Sequence, residues 1–527
     1  MNFEKYIGGM TLRDKVAHLL CPGIRSVYLK NSDRREYCDY IFADKTIKPG
    51  IVFMFPSEGE EISKTIASLE ERFGFPLLAA MDFELDPSII GGTKIASGMA
   101  ISATNDTTLA YTAGESCAVE GGQYGVNYAF GPILDLNKNR SNPITNIRSW
   151  GDNPEQTIPM LINFVKGMQD NGMIATGKHF PGDGMDDRDQ HLCTSVNKLS
   201  EEDWTESYGK VWKSLIDSGI KSIMPGHIAL PSFEKDGEIR PATLSKSLLT
   251  GLLREKLGFE GIIMSDALNM GGILGVASVE ECIVGAVEAG ADSLLFVNFL
   301  DEMSKIVDML ENAVKSGRLT EKRIDESVYR IWKAKNELGL FDEHKRIAPT
   351  EEQLKKYKEA SEEICKKSVT VFRNKKSVLP LDENKIKKVI SVDISNCNGF
   401  ENPLDIELEK NGIEVLKYGD HTENGFIRWI DAPKADAIFL NFHYGPEWAT
   451  SSIRPQGEKL QKVYEYIFRF DVPTIVIAHG SPYIGYEFPH AKTVINTYTL
   501  IEADAKPLYD VIFGKQEAYG ISPVKID

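Results

Sequence analysis

Residues 178–191, KHFPGDGMDDRDQH, gather two histidines, a lysine, an arginine and four aspartates around only two large apolar residues, Phe180 and Met185. Such a run is too polar for a core, and its side chains can bind hydroxyls and move protons. The lysine precedes the glycines and no Gly-Lys-Ser/Thr follows, so this is not a Walker-type phosphate loop. No HxH or HExxH spacing links His179, His191 and His227, so no metal is expected, and nothing calls for a cofactor. Lys178 could also serve as a Schiff-base amine, which keeps a lyase or aldolase open. Asp186, Asp187 and Arg188 read as a solvated spacer.

Other polar residues stand where apolar runs stop. Asp82 ends FPLLAAMD, Asp135 lies near the end of GVNYAFGPILDL, Lys178 and His179 end MIATGKHF, His227 ends SIMPGH, and Asp266 lies in GIIMSDAL. Asp266 reads equally as a carboxylate nucleophile or as the N-cap of a following helix. A (β/α)₈ barrel gathers its working residues at the C-terminal ends of its strands, which is where these residues fall. An open doubly wound sheet would concentrate its site at one switch point.

The elements that must position them alternate accordingly. Between the strand candidates lie amphipathic stretches such as SEEDWTESYGKVWKSLIDSG and SKSLLTGLLREKLG, each opening on a serine cap and closing on a glycine. The pattern predicts an α/β chain with a (β/α)₈ TIM-type barrel over residues 1–345 and a helical linker over 346–365. Fresh strand candidates, KKVISVDIS, ADAIFLNF, PTIVIAHG and KTVINTYTL, predict a smaller α/β sandwich domain over 366–527.

Composition narrows the function. A chain of 527 residues with a formal net charge of -17 repels nucleic-acid backbones and anionic membranes, so neither is an expected partner. The N-terminal residues lack an apolar export signal, no run of about 18 apolar residues occurs, and seven scattered cysteines fit reduced thiols. A cytoplasmic protein acting on a small molecule is the expectation.

Several segments, in order, resemble glycoside hydrolase family 3, specifically its NagZ-type β-N-acetylhexosaminidases. KHFPGDGMDDRDQH is similar to the family's KHFPGHG…DSH segment and MTLRDKVAHLL to its opening helix. MDFE, GVNYAFGPILDLN and NIRSWGDNP resemble its DxE strand end, its third-strand segment and its R-S-F-G segment. PATLSKSLLTGLLREKLGFEGIIMSDAL resembles its nucleophile segment, and KSVTVFRNKKSVLPL the entry to its C-terminal domain.

The resemblance implies a retaining, exo-acting β-glycosidase that removes terminal β-linked N-acetylhexosamine from small saccharides. Asp266 matches the nucleophile, and His191 with Asp189 matches the acid/base dyad of the NagZ-type branch. Imidazole suits that work because its ordinary pKa of about 6.5 lets it give and take a proton near neutrality. Asp82, Arg148, Lys178 and His179 match sugar-binding positions; Asp135 and His227 are weaker candidates for the same site. The dyad separates this branch from β-glucosidases, whose acid/base glutamate is expected from the C-terminal domain.

Two positions depart from the family pattern. Ile90 stands where an arginine is expected, and Asp183 replaces the second histidine of KHFPGHG. Both touch sugar recognition, so β-glucoside cleavage remains an alternative; a neutral histidine base leaves phosphorolysis open as well, and a sugar-binding protein without turnover is a third reading.

Overall fold

The computed structural model describes residues 7–25, 41–235, 237–297, 303–342, 346–375, 377–396, 401–450, 453–468 and 472–526. The chain divides into two compact units. One comprises Met1–Thr93, Ala110–Leu136 and Leu161–Tyr357, the other Lys94–Leu109, Asn137–Met160 and Lys358–Asp527.

The first unit is built on eight parallel strands: β1 (Leu20–Ile24), β2 (Ile51–Met54), β3 (Leu78–Met81), β4 (Tyr128–Ala129), β5 (Ile174–Phe180), β6 (Ser222–Pro225), β7 (Ile262–Ile263) and β8 (Leu294–Phe296). They form one curled sheet in the order β8-β1-β2-β3-β4-β5-β6-β7, and a parallel bridge between Met264 and Ser293 links its two ends. The expected (β/α)₈ architecture is therefore present. Side chains from alternate positions, including Ile51, Phe53, Leu78, Ala80, Tyr128, Ile174, Met224 and Leu295, fill the interior as a packed core. The Tyr128 hydroxyl bonds Ser222 Oγ within that core at 2.6 Å.

The capping signals hold in detail. Ser200 accepts from the Asp203 amide at the start of the helical stretch 201–217, and Gly219 beyond it has φ of +87°. Ser245 Oγ accepts from Leu248 N at the start of the helical turn run Ser247–Lys256. Strand β1 was not among the strand candidates, because Pro22 and Gly23 interrupt its apolar pattern. Parallel pairing of Leu20, Cys21 and Pro22 with Leu294, Leu295 and Phe296 nevertheless makes it a full barrel member.

The second unit carries six strands: β9 (Thr370–Asn374), β10 (Lys388–Ser395), β11 (Glu414–Gly419), β12 (Ala437–Tyr444), β13 (Thr474–Gly480) and β14 (Thr493–Asn496). Their order is β9-β14-β13-β12-β10-β11, five of them parallel and β9 antiparallel at one edge. Two apolar layers cover the sheet, one containing Val389, Phe439, Ile477 and Leu508, the other Ile390, Leu440, Val476 and Tyr466. Among the described residues no helix is long and apolar enough to cross a membrane.

Candidate active site

Strand β5 ends on Lys178-His179-Phe180, and its pairing with β6 shifts register between Lys178 and Phe180. Adjacent residues of a regular strand point to opposite faces; an irregularity of this kind re-aims them. Lys178 Nζ lies 2.7 Å from Glu84 Oε1 and 3.2 Å from Asp82 Oδ1, just beyond the end of β3. A nitrogen engaged by two carboxylates is placed as a charged donor rather than as a Schiff-base nucleophile. The Asp82 side chain is 48% exposed. Glu84 escaped the sequence reading, although the D-x-E spacing of MDFE carried the signal.

His179 engages a different carboxylate. Its Nδ1 is 2.7 Å from Asp135 Oδ2. A carboxylate can only accept, so Nδ1 carries the proton. Asp135 Oδ1 also accepts the backbone amides of His179 (3.2 Å) and Asp183 (2.6 Å). Asp135 is buried, so it braces the strand end rather than facing a substrate. Asp183 belongs to the same brace: its carboxylate accepts from Gly184 N, and its carbonyl accepts from the buried Tyr208 hydroxyl at 2.7 Å.

Asp266 follows β7, and its Oδ2 stands 4.0 Å from His179 Nε2. It is not an N-cap, because the next helix, Gly271–Leu274, begins after Met270. Burial works to raise its pKa, but His179, His227 and His191 and the Ala267 amide outweigh burial and hold the carboxyl below its ordinary range. His227 is fully buried, with Nε2 3.0 Å from the Ala267 carbonyl and Nδ1 2.9 Å from Thr243 Oγ1. Burial keeps its pKa below the usual imidazole value despite the nearby Asp266 charge. It therefore fixes the backbone beside Asp266 rather than contacting a ligand.

His191 Nδ1 lies 2.6 Å from Asp189 Oδ1, which also accepts the His191 amide at 2.9 Å. Asp189 is buried while the imidazole is 32% exposed, and Nδ1 is the nitrogen that Asp189 engages. Asp186 is not solvated spacer. It is buried, accepting from Arg188 Nη2 at 2.7 Å and from the Val196 amide at 2.8 Å, and thereby ties the loop's two ends together. Asp187 and Arg188 are exposed as expected.

Arg148 lies in the Asn137–Met160 segment of the second unit, where Nη1 donates to the Ile144 carbonyl at 2.9 Å. Ile90, where an arginine was expected, is buried in the short turn Ser88–Ile90. Among the described residues no cluster of three or more His, Cys, Asp or Glu is arranged to hold a metal ion.

Residues 11–334 match the model of the glycosyl hydrolase family 3 N terminal domain. The chain belongs to glycoside hydrolase family 3. It is 29% identical over 517 residues, covering 93% of itself and 90% of its relative, to a β-N-acetylglucosaminidase/β-glucosidase of Cellulomonas fimi. The family 3 protein also superposes on the solved structure of β-glucoside phosphorylase BglX with a TM-score of 0.86 and 30% identity, covering 99% of this chain and 95% of that one. A family 3 β-N-acetylglucosaminidase from Paenibacillus sp. str. FPU-7 is similar at a TM-score of 0.83 and 26% identity, covering 98% and 99%.

Proposed function

We propose that the enzyme is a retaining, exo-acting β-glycosidase that removes terminal β-linked N-acetylhexosamine. Asp266 attacks the anomeric carbon as the glycosidic C–O bond breaks, and His191 Nε2 gives its proton to the leaving oxygen. Water, losing a proton to the same nitrogen, then opens the glycosyl–aspartate ester and frees Asp266. Asp189 orients the ring and favours its protonated form. Asp82, Lys178 and His179 hold the sugar hydroxyls.

The observation that carries this reading is the setting of Asp266. It is an ionised carboxylate facing imidazoles, with the His191–Asp189 dyad supplied by the same compact unit. Likeness to the Paenibacillus β-N-acetylglucosaminidase favours the N-acetylglucosaminide as substrate, and the Cellulomonas fimi relative is named for both the N-acetylglucosaminide and the glucoside. The five described cysteines are all free, which fits a reducing cytoplasm.

Phosphorolysis is the second reading. It is favoured by the likeness to β-glucoside phosphorylase BglX, and a neutral histidine base adds no repulsion toward an anionic nucleophile. The test compares 4-nitrophenyl β-N-acetylglucosaminide with the β-glucoside, with and without inorganic phosphate, for wild type and Asp266→Asn. Hydrolysis of the N-acetylglucosaminide that Asp266→Asn abolishes is the expected result. Full activity in Asp266→Asn overturns the nucleophile, and a phosphate-dependent rate yielding a sugar phosphate favours the second reading.

A further inference from the structure

The loop that bears His191 is fastened to the segment that follows Asp266 by backbone bonds. Gly271 N donates to the His191 carbonyl at 2.8 Å, and Gly272 N donates to the Gln190 carbonyl at 3.2 Å. Thr194 Oγ1 adds a bond to the Gly272 carbonyl at 2.8 Å. The Gln190 side chain, itself buried, reaches the segment just past β6, where its Oε1 accepts the His227 amide at 2.9 Å. His227 in turn holds the Ala267 carbonyl. A continuous set of short bonds therefore runs from the His191 backbone to the residue adjoining Asp266.

Both glycines are required by space and not by backbone conformation. Neither has a positive φ. A Cβ on Gly271 would fall against the Leu192 carbonyl oxygen, and one on Gly272 against the Gln190 carbonyl oxygen, closer than side chains ever come. Both obstacles are backbone atoms, which cannot rotate aside as a flexible side chain could. Any larger residue must push the loop away from the segment.

We propose that Gly271, Gly272 and Gln190 form a dock that holds the acid/base loop at a fixed distance from Asp266, making them positioning residues for proton transfer to the leaving group. The proposal rests on the acid/base reading of His191. A displacement of about 1 Å at such a group costs on the order of 100-fold in rate, while sugar binding at the β3 and β5 strand ends is left alone. The loss should fall on kcat far more than on KM, and only where protonation of the leaving oxygen matters.

The experiment measures wild type, Gly272→Ala, Gln190→Ala and His191→Ala on a 4-nitrophenyl and a 2,4-dinitrophenyl β-N-acetylglucosaminide, the latter with azide as a second-step nucleophile needing no base. The dinitrophenolate leaves without a proton. The expected result is that Gly272→Ala and Gln190→Ala lose about 10- to 100-fold in kcat on the nitrophenyl substrate and recover to near wild type on the dinitrophenyl substrate with azide. Equal loss on both substrates, or no loss, overturns the dock. If His191→Ala itself shows no dependence on the leaving group, the acid/base reading fails instead, which separates the two outcomes. Should Gly272→Ala not fold, Gln190→Ala carries the same comparison.

Discussion

The imidazole of His179 and the carboxylate of Asp266 meet at 4.0 Å, although 87 residues separate them, and Asp135 holds the far side of that imidazole at 2.7 Å. The proton on Nδ1 is thus committed to Asp135, and Nε2 is the nitrogen turned toward Asp266. Replacing Asp135 by asparagine reverses the demand on Nδ1, since an amide nitrogen cannot accept its proton. Asp135→Asn is expected to lower kcat/KM by about 100-fold with little change in melting temperature. Wild-type kinetics in this variant would mean that the brace has no part in setting the ring.

The pH profile has two limbs of opposite sign. Activity falls with acidification as Asp266 takes a proton, and because that carboxyl is held below its ordinary range, this limb should lie below the usual carboxylate values. If His191 is the general acid, as proposed, activity should fall with alkalinity as it loses the proton it donates. Asp189→Asn removes the negative charge that favours imidazolium, so the alkaline limb should move to lower pH. An unmoved limb in kcat/KM profiles would sever the link between Asp189 and the general acid.

Glu84 completes the clamp on Lys178, at 2.7 Å, and is closer than Asp82. With Glu84→Gln, Lys178 loses its shorter charged contact and its preset position. KM for the N-acetylglucosaminide should rise by about 10-fold while kcat changes less, because the interaction serves ground state and transition state alike. Steady-state kinetics decide it, and a loss confined to kcat would contradict a binding role.

Stability depends on a second charged centre, below the barrel's working end. Asp292, fully buried, meets Arg254, Arg330 and Arg323 and accepts the Ile263 amide at 3.0 Å. Burial opposes its charge, but the three guanidinium groups outweigh burial and hold it below the ordinary carboxylate range. Its stabilisation is therefore complete above the unfolded-state pKa and is lost as pH falls through the lower folded-state value. Asp292→Ala should cost about 3–5 kcal/mol, since it strands the arginines. Chemical denaturation at pH 7 and across the acid range tests both the size and the sign.

Lys335 predicts the opposite sign. Its Nζ is buried over the rings of Phe75 (4.5 Å) and Trp332 (5.0 Å) without a hydrogen-bond partner among the described residues. Burial, only partly offset by Glu70, pushes its pKa well below the lysine value. The folded state thus binds fewer protons than the unfolded state, so stability rises with pH between the depressed value and the ordinary lysine value. Lys335→Met should raise stability at pH 7 by about 1 kcal/mol or more and flatten that rise. A destabilised Lys335→Met variant would show instead that the cation over the two rings stabilises the fold.

The sequence alone determined the α/β alternation and the C-terminal strand-end positions of Asp82, Lys178, His179 and Asp266, because each is written in local spacing, whereas the pairing of Asp189 with His191 was implied by the resemblance to the family. Strand β1 stayed hidden because Pro22 breaks the apolar pattern that parallel pairing restores. Alternation also could not show that Lys178 and His179 are both re-aimed at carboxylates, since that follows from an irregularity in pairing with β6. Only the tertiary structure decided that Asp186 is a buried anchor, that Asp135 takes three donors, and that Gly271 and Gly272 lie against the loop of His191. These relations join residues far apart in the chain through hydrogen bonds and steric contacts, which depend on distances in space that residue type and sequence spacing do not encode.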